Sequence, residues 1–224
     1  MVNYKRNQLN WLTMRRYIAL IGDIEQSKKL EREMRIKTQE TLLSLFNRLN
    51  SKGDSLISPY TLTLGDEFQT VYSKGDDLFR HIWMIMASVH PVMVRFSIGA
   101  GDITTNINRK SSLGMDGPAF HRARDGMDQL KKTKGLICLN SGDEQINHLI
   151  NNIFRFIEGN IRSWKKNRLL ILHKLREGNE VKQIAGELDL SEVAVYKNIN
   201  TGNLEALIDL EKSITRLINE TIKQ

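Results

Sequence analysis

Two apolar stretches of this chain run directly into Gly-Asp, and that pairing limits the folds open to it. The first is Tyr17 to Ile21, closed by Gly22-Asp23. The second is Leu62-Thr63-Leu64, followed by Gly65-Asp66-Glu67-Phe68 and then Gln69-Thr70-Val71-Tyr72. An apolar run ending on Gly-Asp reads as a buried strand that delivers a carboxylate at its C-terminal end. The second stretch alternates about a tight turn, as a hairpin does. If the first strand lies antiparallel to the hairpin's second strand, the end of one meets the start of the other. Neighbouring strands are about 4.8 Å apart, so Asp23 and Asp66 could then share a hard cation such as Mg²⁺. Asp and Gly are also ordinary turn residues, and two solvated turns are the competing reading.

The order of the remaining elements supplies the pairing that this idea needs. A helix is expected from about Ser27 to Leu49, with Leu30, Met34, Leu42, Leu45, Phe46 and Leu49 as its apolar stripe. The hairpin covers about 60–73. Asp76-Asp77 start a second helix that ends near Pro91, with Phe79, Ile82, Trp83, Ile85 and Met86 inward. A strand from Val92 to Ile98 breaks at Gly99-Ala100-Gly101, and Gly117-Pro118 opens a helix to about Leu130. Leu136 to Leu139 is a last strand. The order is βαββαβαβ, an α+β (α/β) arrangement. Its first six elements match a ferredoxin-like palm, in which the first and third strands are central antiparallel neighbours.

The 224 residues suffice for one medium domain and a small one. The expected units are a basic leader at 1–16, a palm at 17–142, a helical connector at 143–178, and a helix-turn-helix with a terminal helix at 179–224. Net charge is +7, but residues 1–16 hold four bases and no acid, while 151–224 hold 12 Lys/Arg against 10 Asp/Glu. Much of the basicity is thus a leader rather than a continuous nucleic-acid face. The lone cysteine, Cys138, excludes an internal disulfide and reads as a buried strand thiol. No apolar stretch approaches the roughly 20 residues that span a bilayer, and a cytoplasmic location is expected. The histidines share no zinc-ligand spacing.

The stretches Ala19-Leu20-Ile21-Gly22-Asp23-Ile24, Gly65-Asp66-Glu67-Phe68, Val94-Arg95-Phe96-Ser97-Ile98-Gly99 and Gly117-Pro118-Ala119 together resemble class III nucleotidyl cyclases. They are also similar to the GGDEF diguanylate cyclase domain, which shares the palm. From Tyr17 onward the chain most resembles the SatD-like family of bacterial proteins. The cyclase resemblance implies that Asp23 and Asp66 hold Mg²⁺ (or Mn²⁺), helped by the backbone carbonyl of Ile24. It implies a nucleotide held by the glycines Gly22 and Gly65 and by a loop from Glu25 to Lys29 that includes Ser27, Lys28 and Lys29. Helix N-termini favour phosphate on their own physics. Asp23, Asp66 and Glu67 are the candidate catalytic groups, Glu67 being equally readable as a solvated turn acid. Leu62 stands where cyclases place a base-selecting lysine. His121 and Asp125 fall at the places of the asparagine and arginine that support the transition state, with Arg122 and Arg124 out of step. Losing one such preorganised donor costs about 2.7–4 kcal/mol, so weak or absent cyclisation is expected.

The segment Val181 to Ile199 resembles a helix-turn-helix. Ala185 is the small residue at the crossing, Leu188 and Leu190 bracket the turn, Ser191 caps the second helix, and Val195 and Ile199 point inward. The expected DNA-binding residues are Ser191, Tyr196, Lys197 and Asn200, aided by Lys165 and Lys166 of a preceding basic helix that also holds Arg168, Lys174 and Arg176. A helical protein-interaction module is the alternative. The apolar spacing from Leu204 to Ile222 suits packing on these helices or pairing with a second chain, and a homodimer would suit paired DNA half-sites. The leading expectation is a metal- and nucleotide-binding palm coupled to a DNA-binding part, a ligand-responsive transcription regulator. The others are an active Mg²⁺-dependent nucleotidyl cyclase or nucleotidyltransferase, and a catalytically silent interaction protein.

Overall fold

The computed structural model describes residues 16–51, 55–63 and 65–223. The expected leader therefore lies outside the described residues, except for Arg16, which opens the first strand rather than ending a tail.

The strands are β1 (Arg16–Ile24), β2 (Leu56–Leu62), β3 (Glu67–Tyr72), β4 (Val94–Asp102) and β5 (Ile137–Asn140). The helices are α1 (Arg32–Asn50), α2 (Leu78–Val89), α3 (Pro118–Thr133) and α4 (Glu144–Ile161), then α5 (Lys166–Arg176), α6 (Val181–Leu188), α7 (Glu192–Gly202) and α8 (Leu204–Thr221). The sheet order is β2-β3-β1-β4-β5, with β1 antiparallel to both β3 and β4, and β5 parallel to β4. The first four strands thus have the ferredoxin-like order, and the added αβ unit extends one edge.

Alternation along β1 divides the molecule. Ile18, Leu20 and Ile24 join the large core under α1 and α2, whereas Ala19 and Ile21 face α3 with Val71, Ala119, Ala123 and Met127. Asp23 shares that second parity, so it points to the α3 side.

Three expectations are corrected. The first helix does not start at Ser27: a 3-10 turn covers Ser27–Lys29 after a left-handed Gln26, Leu30 is extended, and α1 begins at Arg32. Met34 is exposed, and Thr38 is buried in the stripe instead. The strand β4 runs through Gly99-Ala100-Gly101 rather than breaking there. These glycines serve close approach, because a Cβ on Gly99 would run into Ala119 O and Ala123 N of α3.

The helices after α3 join the palm through α2 and, for α4, through β5, where Glu158 accepts from Leu136 N and Ile137 N. Phe79 packs on Phe154 and Trp83 on Trp164, while Trp83 Nε1 donates to Glu211 Oε1 at 2.5 Å and Arg176 pairs with Glu211. Asn219 accepts from Gly75 N and donates to Asp76. The expected units at 17–142, 143–178 and 179–224 share one continuous apolar core, which includes Phe46, Trp83, Ile171, Val195 and Ile218. Among the described residues, no helix is long and apolar enough to cross a membrane. Cys138 lies buried on β5, where burial pushes its thiol up to about 11.

Behind β3, Tyr60 and Tyr72 share a hydroxyl contact, and Tyr72 Oη lies 2.9 Å from His81 Nδ1. Burial pushes His81 down to about 4, with Arg80 adding to the effect. The unfolded chain binds this proton near pH 6.5. The stability contributed by neutral His81 is therefore present above pH 6.5 and lost as pH falls toward 4, about 2 kcal/mol of it by pH 5. Glu211 acts in the opposite sense. Burial raises it to about 7 despite Arg176, so its contribution is present below pH 4.5 and lost as pH rises through 7. Denaturation at pH 7 and pH 5 of wild type and His81→Asn separates them. The variant is expected to lose about 2 kcal/mol less than wild type on acidification.

Candidate functional site

The register of the three central strands builds a row of charge on the α3 face. Asp23 stands opposite Glu67 of β3 on one side and opposite Arg95 of β4 on the other. Arg95 Nη1 donates to Asp23 Oδ2 at 2.9 Å, and its Nη2 donates to Glu25 Oε1 at 3.0 Å. Glu25 in turn accepts from Arg162, beyond the end of α4, at 2.7 Å. Arg95 is buried, and a buried guanidinium persists only where carboxylates meet it. A chain of ion pairs therefore leads from Asp23 out to the α4–α5 junction.

Helix α3 roofs the row because the glycines of β4 let it come close. Its last turns place Lys131 Nζ 3.1 Å from Asp23 Oδ1 and 4.0 Å from Glu67 Oε2, while Arg124 Nη1 donates to Glu67 Oε1 at 3.0 Å. Seven residues separate Arg124 from Lys131, two turns of helix, so both side chains reach the same side. The segment 103–117 forms a wall. It is tied across β2 and β3 by Ser58 Oγ donating to Asn108 O at 2.6 Å and Ser112 Oγ donating to Gln69 O at 2.8 Å.

These parts line a cleft of about 980 Å³, at the upper end of the range for small-molecule and cofactor sites. Asp23, Asp66, Glu67, Asp116 and Asp125 line it against His121, Arg124 and Lys131, and Leu62, Leu113, Met115 and Phe120 give it an apolar wall. His121 Nε2 lies 2.7 Å from Asp116 Oδ1.

Of the residues singled out in the sequence, Asp23, Asp66 and Glu67 line this one cleft. Ile24 N donates to Asp66 O at 3.0 Å, so the two Gly-Asp turns do meet, and the Ile24 side chain is in the core. Ser27 is buried and its hydroxyl donates to Asp66 Oδ2. Gly65 forms the turn at φ +82°. Gly22 faces the opposite side, where a Cβ would strike the Phe68 ring, so packing accounts for it. Lys28 and Lys29 are exposed on the 3-10 turn and do not line the cleft. Arg122 points away, donating to Ala100 O and Ser141 O, whereas Arg124 is in the cleft.

Sequence reasoning missed Arg95, Arg124, Lys131 and Arg162 as members of the site, and had Glu25 only as the start of a phosphate loop rather than as the partner of Arg95. One signal was available: an arginine between Val94 and Phe96 in an apolar strand requires a buried carboxylate partner.

A second feature lies at α6 and α7. Asp189 is left-handed, Leu190 N donates to Ala185 O, and Ser191 Oγ accepts from Ala194 N at 3.2 Å. Val195 and Ile199 are buried, while Val193, Tyr196, Lys197 and Asn200 are exposed. The basic helix α5 offers less than its composition promised. Arg168 donates to Asn198 and Thr201 and stacks on Trp164, Lys174 pairs with Glu187, and Arg176 with Glu211, which leaves Lys165 and Lys166 exposed at its start.

Topology and site together define an α+β protein with a ferredoxin-like palm, a charged cleft beneath α3 on one face and the remaining helices on the other. The chain belongs to the SatD family, whose model matches residues 17–218. Two solved structures of a bacterial light-regulated adenylyl cyclase are similar to it at 19% identity, with TM-scores of 0.40 and 0.42, over 57% of this chain and 44% of theirs. This chain thus spans less than half the length of those structures. No curated protein matches the sequence.

Replacing Arg95 with Met strips one partner each from Asp23 and Glu25, although Lys131 and Arg162 remain. A loss of about 3 kcal/mol is expected in urea denaturation. Arg124→Met, at an exposed pair, is expected to change stability by less than about 1 kcal/mol.

Proposed function

We propose that the cleft binds a nucleoside polyphosphate together with a divalent cation, and that occupancy is relayed to a DNA-binding α6–α7 unit. The observation that carries the first part is the convergence of Asp23, Asp66 and Glu67 on a cleft that also has an apolar wall. Acids outnumber bases there, so a polyphosphate would need a cation to enter.

The donor set fits Mg²⁺ or Mn²⁺. The oxygens are hard, and such ions are commonly held by one or two carboxylates plus substrate phosphates rather than by a protein cage. Among the described residues no three His, Cys, Asp or Glu side chains form such a cage. Asp23 and Asp66, with Glu67 beside them, would hold the ion, which would supply neutralisation of phosphate charge. Arg124 and His121 are placed to orient phosphate oxygens, and Phe120 and Met115 to cover a base. Leu62, at the place of the base-selecting lysine, makes only apolar surface. Slow or absent cyclisation is therefore the expectation. Arg124, lying in the cleft, favours as second reading a metal-dependent nucleotidyl cyclase or nucleotidyltransferase, since it offers a guanidinium where the spacing from Gly117 gives Asp125.

The relay would be the chain Asp23–Arg95–Glu25–Arg162, because a ligand drawing on Asp23 changes what Arg95 shares with Glu25. The support for DNA binding is the Ser191 cap with Tyr196, Lys197 and Asn200 exposed on α7. A second copy of the chain would double a thin supply of charge.

Titration with fluorescent ATP and GTP analogues, with and without Mg²⁺, tests the cleft. Asp66→Asn is expected to weaken Mg²⁺-dependent binding roughly tenfold, about 1.4 kcal/mol, with the fold intact by circular dichroism. No binding of either nucleotide overturns the reading. Product lost in Asp66→Asn would promote the enzyme.

Anisotropy with duplex DNA at two salt concentrations tests α7. Lys197→Ala and Asn200→Ala are expected to relax sequence preference, whereas Lys165→Ala with Lys166→Ala weakens all binding and flattens its salt slope. Indifference to every duplex at low salt leaves α6–α7 as a protein-interaction module.

A further inference from the structure

We infer that Lys131 is a displaceable resident cation of the cleft, occupying the open oxygen of Asp23 beside Glu67 that a divalent ion held by Asp23 and Asp66 would need. The inference rests on the metal-and-nucleotide reading above and specifies how that site is controlled.

Both oxygens of Asp23 are engaged by cations of opposite character. Oδ2 accepts from Arg95, whose side chain is 11% exposed, lies in mid-strand and is shared with Glu25. Oδ1 meets Lys131, whose side chain is 42% exposed and ends a flexible four-carbon stem near the end of α3. Arg95 cannot leave without taking a buried partner from both Asp23 and Glu25 at once. Lys131 can leave at little cost, because Glu67 keeps Arg124 and Asp23 keeps Arg95. When the ammonium swings out, one oxygen each of Asp23 and Glu67 becomes open to a hard cation.

The consequence is selectivity for metal arriving with nucleotide over metal alone. A bare ion must displace the ammonium, and its apparent affinity falls by the fraction of time that Lys131 is out. An ion accompanied by phosphates gives the displaced ammonium a new anionic partner in the same cleft, so the competition is relieved.

The test is Mn²⁺ binding to the full chain without nucleotide, followed by electron paramagnetic resonance of the free ion. Lys131→Met is expected to bind Mn²⁺ about three- to tenfold more tightly than wild type. Lys131→Arg should keep the wild-type affinity, and adding Asp23→Asn to Lys131→Met should abolish the gain. Equal affinity of wild type and Lys131→Met, or a gain that survives Asp23→Asn, overturns the inference. Binding of a fluorescent nucleotide analogue with Mn²⁺ runs in parallel. If wild type binds the analogue but Lys131→Met leaves Mn²⁺ affinity unchanged, the Lys131 inference falls and the nucleotide reading stands. If no variant binds Mn²⁺ or the analogue, both fall.

Discussion

A guanidinium in the middle of a sheet sets the terms for the rest of this molecule. Arg95 sits among apolar neighbours on β4, and burying its charge is tolerable only because Asp23 and Glu25 meet its two ends. The β1–β4 ladder sets Asp23 opposite Arg95, and strand alternation turns both toward α3, where the requirement is met. The same requirement draws Arg162 in from the far side of the chain to complete Glu25. Cleft and helical half are consequently joined by electrostatics as well as by the apolar core.

The placement of α3 is the second condition. A helix packs about 10 Å from a sheet when side chains intervene. The glycines of β4 remove them, so the α3 backbone lies directly on the strand and the long side chains at its C-terminal end overhang the charged row. Gly126 repeats the device from the helix side, since a Cβ there would meet Ser97 Oγ. The cleft thus owes its depth to what three small residues omit.

Strand order and the meeting of the two Gly-Asp turns were legible in the sequence because both depend on period-two alternation and on turn chemistry, which are local. The α2 face was legible for the same reason, its five expected core residues all being buried. What stayed hidden was set across the chain. Lys131 and Glu67 are distant in sequence and meet only through helix–sheet packing. Gly22 looked like a ligand contact and Gly99 like a strand end, because close approach to a ring, to a helix and to phosphate all call for the same missing side chain. In α5 the bases were visible, but their pairing with Glu187 and Glu211 depends on how the later helices fold back. The exposed Lys28 and Lys29 followed from a left-handed Gln26 that no residue type announced.

The continuity of the apolar core bears on how such a chain can be handled. Trp83, Phe79 and Ile82 belong to the palm, yet their outer surfaces are covered by helices that come after residue 143. A palm cut free at that point would offer water a broad greasy face with an indole N–H lacking its carboxylate. The helices alone would lose the surface on which they fold. Neither half is a module that can be borrowed, and any message passed between them travels through material that both must share to exist.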